Sequence, residues 1–490
     1  MKVIIIGATH AAVAAAARLR RLDEGAEIIL IDHRHTIPGL RLGRLQAGYN
    51  IDVRLGVRAA WDDEAQDSLV CEDLASGQVT NENFDKIVFS YEVGEEQSFH
   101  APRSVRNMFY LSNPVSLERG WSDIAAYLIA SGAKSAEVRG NDLLAYIVAA
   151  RLLRAGIETT LCAVNAPPQT PYLPDLDIDT AAHIAAYLGD RGLRLGDAVE
   201  PHTGSMAASI SDGIVIECVP YAPQLPEFVQ PVDSKQALQE FPLDTIVSDR
   251  FSGEKIDVPR LSCRRGRTLA AAVLGFGGAN ADAEQSINIR NAEILGKRLV
   301  IFGLTEHELN RRGMKHIFSV IPIDGGFLKL LYNDLGQILG FAGFATNPMP
   351  YADVLAMFVQ LSGGVQMLAG IELSDEMGAI NIMGQIAQNV LEKRLEMAYW
   401  DEIAHIDAEK TILLDARSER DFAAGSIPNA LNIPLADLRF KQYLLEQTKD
   451  VIVFCGDGRD SYVAARILAG CGIKVRHLTG GLAYCSVLLS

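Results

Sequence analysis

Cysteine is sparse and scattered: the chain has 7 in 490 residues, and no two form a CxxC pair. That spacing excludes a disulfide framework and a thiolate zinc site, and no metal is expected. Thiols kept reduced suit a cytoplasm, which is the expected location. Positive charge is also short. Lys and Arg number 45 against 61 Asp and Glu, a formal net charge of −16. A surface of that sign argues against nucleic acid or an anionic membrane as partner. No apolar run approaches the length of a membrane span. Met1 to Gly7 passes straight into an apolar strand pattern, so no signal peptide is expected.

What is present is a chain too long for one core, with the 49% hydrophobic and 22% charged content of an α/β protein; three or four domains are expected. Its most informative stretch runs from Val451 to Ser461. The apolar run Val451 to Phe454 reads as a buried strand that ends at Cys455. Gly456, Asp457, Gly458 and Arg459 form a turn, and Tyr462, Ala465, Ile467 and Leu468 begin a helical pattern that Ser461 can cap. Two glycines let successive backbone N–H groups face one spot beside a helix N-terminus. A thiol held there is favoured as thiolate and can accept and carry sulfur. The competing reading is a buried, inert cysteine at the end of a strand.

The surroundings of this turn resemble the rhodanese family. Leu413-Leu414-Asp415-Ala416-Arg417, Phe422, Gly425-Ser426-Ile427-Pro428-Asn429-Ala430 and Asn432-Ile433-Pro434-Leu435 are similar to that domain's opening motif; Val475 to Gly481 is similar to its closing motif. The resemblance implies a persulfide on Cys455, with the amides of Gly456, Asp457 and Gly458 and the side chain of Arg459 holding an incoming anion. The family commonly has His where Ser426 stands, and a loop-closing Arg where Asp460 stands. Asp457 and Asp460 place negative charge beside the thiol, which should weaken anionic donors such as thiosulfate. Cys471 and Cys485 are candidates to resolve the persulfide, and each also reads as a structural thiol.

Upstream, Lys2 to Ile6, the turn Gly7-Ala8-Thr9-His10-Ala11-Ala12, a helix from Val13 to Leu22 and the strand Ile28 to Ile31 with Asp32 at its end make a βαβ unit. In dinucleotide proteins such a unit sets a pyrophosphate on the helix and an acid on a ribose. Thr9 occupies the middle glycine position and puts a side chain where the backbone should approach phosphate. A second unit runs through Ala136 to Arg139, Gly140 to Ala145, a helix from Tyr146 to Arg154 and a strand from Glu158 to Cys162, with a strand from Ile214 to Tyr221 closing its domain. One glycine of its fingerprint remains, and no acid closes its second strand.

This order resembles the pyridine nucleotide-disulfide oxidoreductases, in particular the coenzyme A-disulfide reductases with a C-terminal rhodanese domain; Ala15 to Ile28 carries the likeness. The resemblance implies an α/β fold with two Rossmann-like FAD/NAD(P)-type domains, an α+β dimerisation domain and a rhodanese domain. The expected boundaries are 1–113 with 232–298, 114–231, 299–398 and 399–490. Laid on this pattern, Leu42 occupies the redox cysteine position, and residues 1 to 70 contain no Cys. Ser90-Tyr91-Glu92 replaces the expected Ala-Thr-Gly turn. Asp249 matches the acid that contacts the flavin, after Ser248 in place of Gly. Arg264, Arg265 and Arg267 could hold FAD or coenzyme A phosphates or be a solvated patch. Beyond this point four strands (Leu299 to Leu304, Ile317 to Ile323, Gly326 to Tyr332, Ile338 to Ala345) and two helices (Asp353 to Leu361, Ile380 to Leu391) are expected; Asn381 and Gly384 match landmarks of a segment whose tyrosine is missing.

The sequence therefore predicts a rhodanese-type sulfurtransferase or persulfide carrier on a degenerate flavoprotein reductase scaffold. FAD binding through Gly7, Thr9, Asp32 and Asp249 is left open, and NAD(P)H binding is not expected. The expected partners are a small sulfane-sulfur donor or a low-molecular-weight thiol, and a second copy in a homodimer. An FAD-dependent NAD(P)H persulfide or coenzyme A-disulfide reductase, with Cys455 replacing the missing thiol, is the alternative. A non-catalytic scaffold of a sulfur relay is the third reading.

Overall fold

The computed structural model describes residues 1–37, 42–62, 65–89, 108–111, 114–164, 176–199, 213–218, 245–247, 289–373, 378–445 and 449–489. Asp249, Ser248, Ser90-Tyr91-Glu92 and the arginines at 264, 265 and 267 lie outside the described residues.

Two five-stranded parallel sheets occupy the first half. In the first, Lys2–Ile6 sits centrally between Glu27–Asp32 and Lys86–Phe89, and Thr245–Val247 joins its edge from far along the chain. Val3, Ile4 and Ile5 are fully buried, as a strand with helices or sheets on both faces requires. The helix His10–Leu22 starts three residues before the expected Val13, because Thr9 caps it. Alanines 11, 12, 15 and 16 lie on its buried face and let it pack closely on the sheet.

The second sheet has the order Arg194–Val199, Glu158–Val164, Ser135–Arg139, Gly213–Cys218 and Met108–Leu111. Arg194–Val199 is its edge, as its exposed residues suit. The helices Leu143–Arg154 and Ile178–Gly189 carry buried aliphatic faces toward a shared core. The strand expected from Ile214 to Tyr221 ends at Cys218, where the described residues stop.

A third sheet is antiparallel: Arg290–Ile294, Lys297–Gly303, Ile338–Ala345, Gly326–Tyr332 and Ile317–Ile323. The fourth is parallel, with the order Glu396–Ala398, Val475–Leu478, Asp450–Phe454, Thr411–Asp415 and Leu431–Asn432. Its central strand, Asp450–Phe454, has four fully buried residues and delivers Cys455 to the carboxyl edge, where open parallel sheets place ligand sites. A small three-stranded sheet, Val57–Asp62, Ala65–Asp73 and Val79–Asn83, completes the described architecture. Among the described residues no helix is long and apolar enough to cross a membrane.

Candidate active site

Cys455 follows the buried strand Asp450–Phe454 and is itself 2% exposed. The chain then turns through Gly458, whose φ of +92° lies in the left-handed region that favours glycine. That turn aims the Gly458 N–H at the sulfur, 3.1 Å from Sγ. The Ser461 hydroxyl donates from the other side at 3.3 Å, while Asp457 Oδ1 stands 3.8 Å away. The helix Arg459–Gly470 begins directly under the thiol. Two donors and a helix N-terminus converge on one sulfur.

The loop is held from behind by the chain's last helix, Gly481–Leu489. Leu482 N–H donates to Cys455 O and Ala483 N–H to Gly456 O, both at 2.8 Å. Gly481 has no room for a side chain, since a Cβ there would lie 2.8 Å from Cys455 O. His477, in the neighbouring strand, is buried beneath the turn. Its Nε2 lies 3.0 Å from Gly458 O and 3.1 Å from Ser461 Oγ.

Arg459 is largely exposed, with Nε 3.3 Å from Asp457 Oδ2. A second arginine, Arg417, stands at the end of the adjacent strand, with its Cδ 4.0 Å from the space beside Gly456. Fully buried Asp415 grips it through Nε and Nη2, and that bond, with the attraction of Asp415 and the Cys455 sulfur, holds its guanidinium above the usual range. Ser426 donates to the same carboxylate at 2.6 Å, which gives a physical role to the residue found where the family commonly has His.

Cys485 is fully buried, and burial together with nearby Asp179 pushes its thiol up to about 12. Cys471 is exposed at the far end of the helix Arg459–Gly470, about 18 Å from the turn at the rise of an α-helix.

Both dinucleotide-type units are closed by the chain's own side chains, and in the same way. In the first, Thr9 caps the helix by accepting the Ala12 N–H at 3.1 Å. Asp32 Oδ2 accepts the Ala8 N–H at 2.6 Å and Arg34 Nη2 at 2.8 Å; Oδ1 accepts the Arg34 N–H and Nε, each at 2.9 Å. Burial pushes the Asp32 carboxyl up, but these bonds outweigh it and hold it below its usual range. Four accepted bonds fill both oxygens, so a ribose hydroxyl could enter only by displacing Arg34.

In the second unit, fully buried Asp142 takes the corresponding place. Its Oδ1 accepts the Ala145 N–H at 3.1 Å. A carboxylate is thereby fixed where a pyrophosphate would sit, and two anions cannot share that site. Asn141 completes the closure by pairing through both its amide atoms with the backbone of Val164, at 2.7 and 2.8 Å. These residues do not fit a dinucleotide in the second unit; in the first they fit one only after rearrangement. Leu42 opens a short helix and is buried among Ile37, Leu45 and Ile51. Asn381 bonds the carbonyls of Leu368 and Ile371, and Gly384 gives those same segments room to approach.

The Rhodanese-like domain family matches residues 402–485. A sulfurtransferase of Allochromatium vinosum is 32% identical over 77 residues, covering 16% of this chain and 72% of that protein. The chain belongs to the rhodanese family. A putative sulfurtransferase of Bacillus subtilis, YtwF, is 30% identical over 74 residues, 15% of this chain and 72% of its own. Among solved structures, reduced CoADR-RHD of Bacillus anthracis superposes with a TM-score of 0.80 at 21% identity, covering 100% of this chain and 98% of the other. A NAD-dependent persulfide reductase from A. fulgidus gives 0.75 at 17% identity, covering 99% and 100%. At these identities the likeness establishes the fold alone: a rhodanese domain joined to a body folded as in those two structures.

Within the rhodanese domain, sequence reasoning found Cys455 and its turn but passed over two neighbours as site residues. Arg417 was visible only as part of an opening motif, and His477 as part of a closing one. Their approach to Cys455 depends on the order of strands in the parallel sheet, which no local pattern encodes.

Proposed function

We propose that this chain is a sulfurtransferase or persulfide carrier working through Cys455, on a reductase-type scaffold that no longer performs nicotinamide-dependent reduction. The observation that carries this reading is the convergence of the Gly458 N–H and the Ser461 hydroxyl on the Cys455 sulfur. The thiolate attacks the outer sulfur of a donor R–S–S⁻. The donor's S–S bond breaks, R–S⁻ leaves with the bonding pair, and a new S–S bond forms on Cys455. An acceptor thiolate then attacks the outer sulfur of that persulfide, takes it, and returns Cys455 as thiolate. Gly458 N–H and Ser461 O–H stabilise the anionic sulfur at both ends of the cycle.

The donor or acceptor is a small sulfane-sulfur compound or a low-molecular-weight thiol. The Gly458 N–H offers a donor to an anionic group at the sulfur, and Asp457 beside the thiol disfavours a strongly charged one. We take the working protein to be a cytoplasmic homodimer, which sedimentation and cell fractionation would test.

The competing reductase reading rests on the shared scaffold. FAD, where bound, would supply electron transfer, with Gly7, Thr9 and Asp32 beside it. The Asp142 cap and the saturated Asp32 count against that reading. A visible absorption spectrum of the purified protein, taken before and after NADH or NADPH, separates the two. Absent or unresponsive flavin absorption, with sulfur transfer that is lost in Cys455→Ser, supports the sulfurtransferase. Flavin absorption that bleaches with either nucleotide overturns the claim that reduction has been lost.

A further inference from the structure

Ser461 can donate its single hydroxyl hydrogen to either of two acceptors. Cys455 Sγ lies at 3.3 Å and Gly458 O at 3.2 Å. Distance alone does not select the sulfur. The selection comes from His477. Its Nε2 stands 3.0 Å from Gly458 O, an acceptor with no hydrogen of its own, so Nε2 must carry the proton. That N–H and the Tyr462 N–H, 3.2 Å from the same oxygen, take up both lone pairs of the carbonyl for which Ser461 would otherwise compete. Nε2 also lies 3.1 Å from Ser461 Oγ, against the oxygen's lone pairs. Both effects turn the hydroxyl hydrogen toward Sγ.

We propose that His477 is a positioning residue for sulfur transfer: its Nε2–H holds the Ser461 hydroxyl as a donor to the Cys455 sulfur. This rests on the sulfurtransferase reading and names a part of its machinery. The ring is 2% exposed, and its Nδ1 is buried with no partner among the described residues. A histidine retained with one nitrogen unsatisfied is costly to bury for packing alone, since an apolar residue would fill the same space. Burial lowers the imidazole to about 4, against the smaller opposing effect of the Gly458 carbonyl, so the ring is neutral near pH 7. The other charged groups around the sulfur are Asp457 on the turn, Arg459 and Asp460 at the start of the helix and Arg417 from the neighbouring strand, all unchanged by substitution at 477.

The test is the pH profile of Cys455 alkylation by iodoacetamide, followed by peptide mass spectrometry. It uses the full chain and no sulfur donor, so it stands or falls apart from the proposed activity. His477→Met removes the donor at similar volume. It should move the profile to higher pH by roughly one unit, a roughly tenfold slower reaction at pH 7 that recovers at high pH. His477→Gln, whose Nε2 can reach the same place, should restore most of the reactivity. A folded His477→Met with the wild-type profile overturns the proposal. Should that variant not fold, Ser461→Ala replaces it: an upward shift supports the relay, and an unchanged profile overturns it.

Discussion

The Tyr484 hydroxyl donates to Asp179 Oδ2 at 2.6 Å, joining residues 305 apart in the chain. The same carboxylate oxygen receives Lys329 Nζ, also at 2.6 Å, and Lys329 reaches Glu306 at 2.7 Å and Asp177 at 3.2 Å. One fully buried lysine of the antiparallel sheet thus gathers acids from the start of the helix Ile178–Gly189 and from the short helix Glu306–Arg311, while Tyr484 enters from the rhodanese domain. Burial works against its charge, but Asp179, Asp177 and Glu306 outweigh it and hold the ammonium well above the usual range. Tyr484 belongs to the helix whose first N–H groups hold the Cys455 loop, so the junction and the active site share one element.

Removing the central charge leaves two buried acids, Asp177 and Asp179, together with half-buried Glu306. Lys329→Met should cost about 3–5 kcal/mol, the usual penalty for breaking a buried ion pair from one side. Tyr484→Phe should cost about 1–3 kcal/mol, since it leaves the cation in place. Urea denaturation of both variants measures the ranking, and equal losses would mean that the cluster does not hold the junction.

Acid should weaken the fold in a window set by its buried histidines. His183 stacks on Tyr484 at 4.5 Å, and burial lowers it from 6.5 to about 4; His477 behaves alike. The unfolded chain takes up these protons first, so stability is complete above about pH 6.5 and falls as the pH drops toward 4, by at most about 3 kcal/mol for each ring. Asp177, which burial raises despite Lys329, acts in the opposite direction. His183→Phe keeps the stacking and should flatten this limb in a stability-against-pH series. A limb as steep as that of the wild type would rule out His183 as its source.

The capped loops give a third test. Asp142→Gly removes the carboxylate from the second helix N-terminus and exposes its amides. The variant should lose a few tenths of a kcal/mol or more, the cost of changing a cap to Gly, and become more strongly stabilised by sulfate than the wild type. Thermal melts over a sulfate series read this directly. Equal sulfate responses would show that the carboxylate does not guard the site.

Asp457 should set donor preference. Asp457→Asn removes a negative charge 3.8 Å from Sγ and frees Arg459 from its ion pair. Turnover with thiosulfate should rise several-fold relative to a neutral trisulfide. Parallel kinetics with the two donors decide it, and an unchanged ratio would contradict the charge argument.

These expectations show which parts of the chain announce themselves locally. The strands Ile317–Ile323, Gly326–Tyr332 and Ile338–Ala345 match the sequence reading residue for residue, because continuous apolar runs end at clear turn residues. Val79–Asn83, a polar and exposed strand, was not read as one, because nothing in Val-Thr-Asn-Glu-Asn shows an apolar face. The helix Met349–Gln360 starts four residues before the expected Asp353, since Pro350 in the first turn is compatible with a helix. At the site, the thiol, its glycine turn and its helix were readable as one continuous stretch. The closure of Asp32 by Arg34, two residues away, was not: the sequence offered the acid to a ribose, and only geometry shows its oxygens already filled.

The central claim is that Cys455 carries sulfur. Mass spectrometry of the protein after incubation with a low-molecular-weight persulfide tests it most directly. The account predicts a gain of one sulfur atom on the peptide containing Cys455, removed by an added thiol and absent from Cys455→Ser. Sulfur bound equally by the Cys455→Ser variant, or none on Cys455 with any donor, would contradict it.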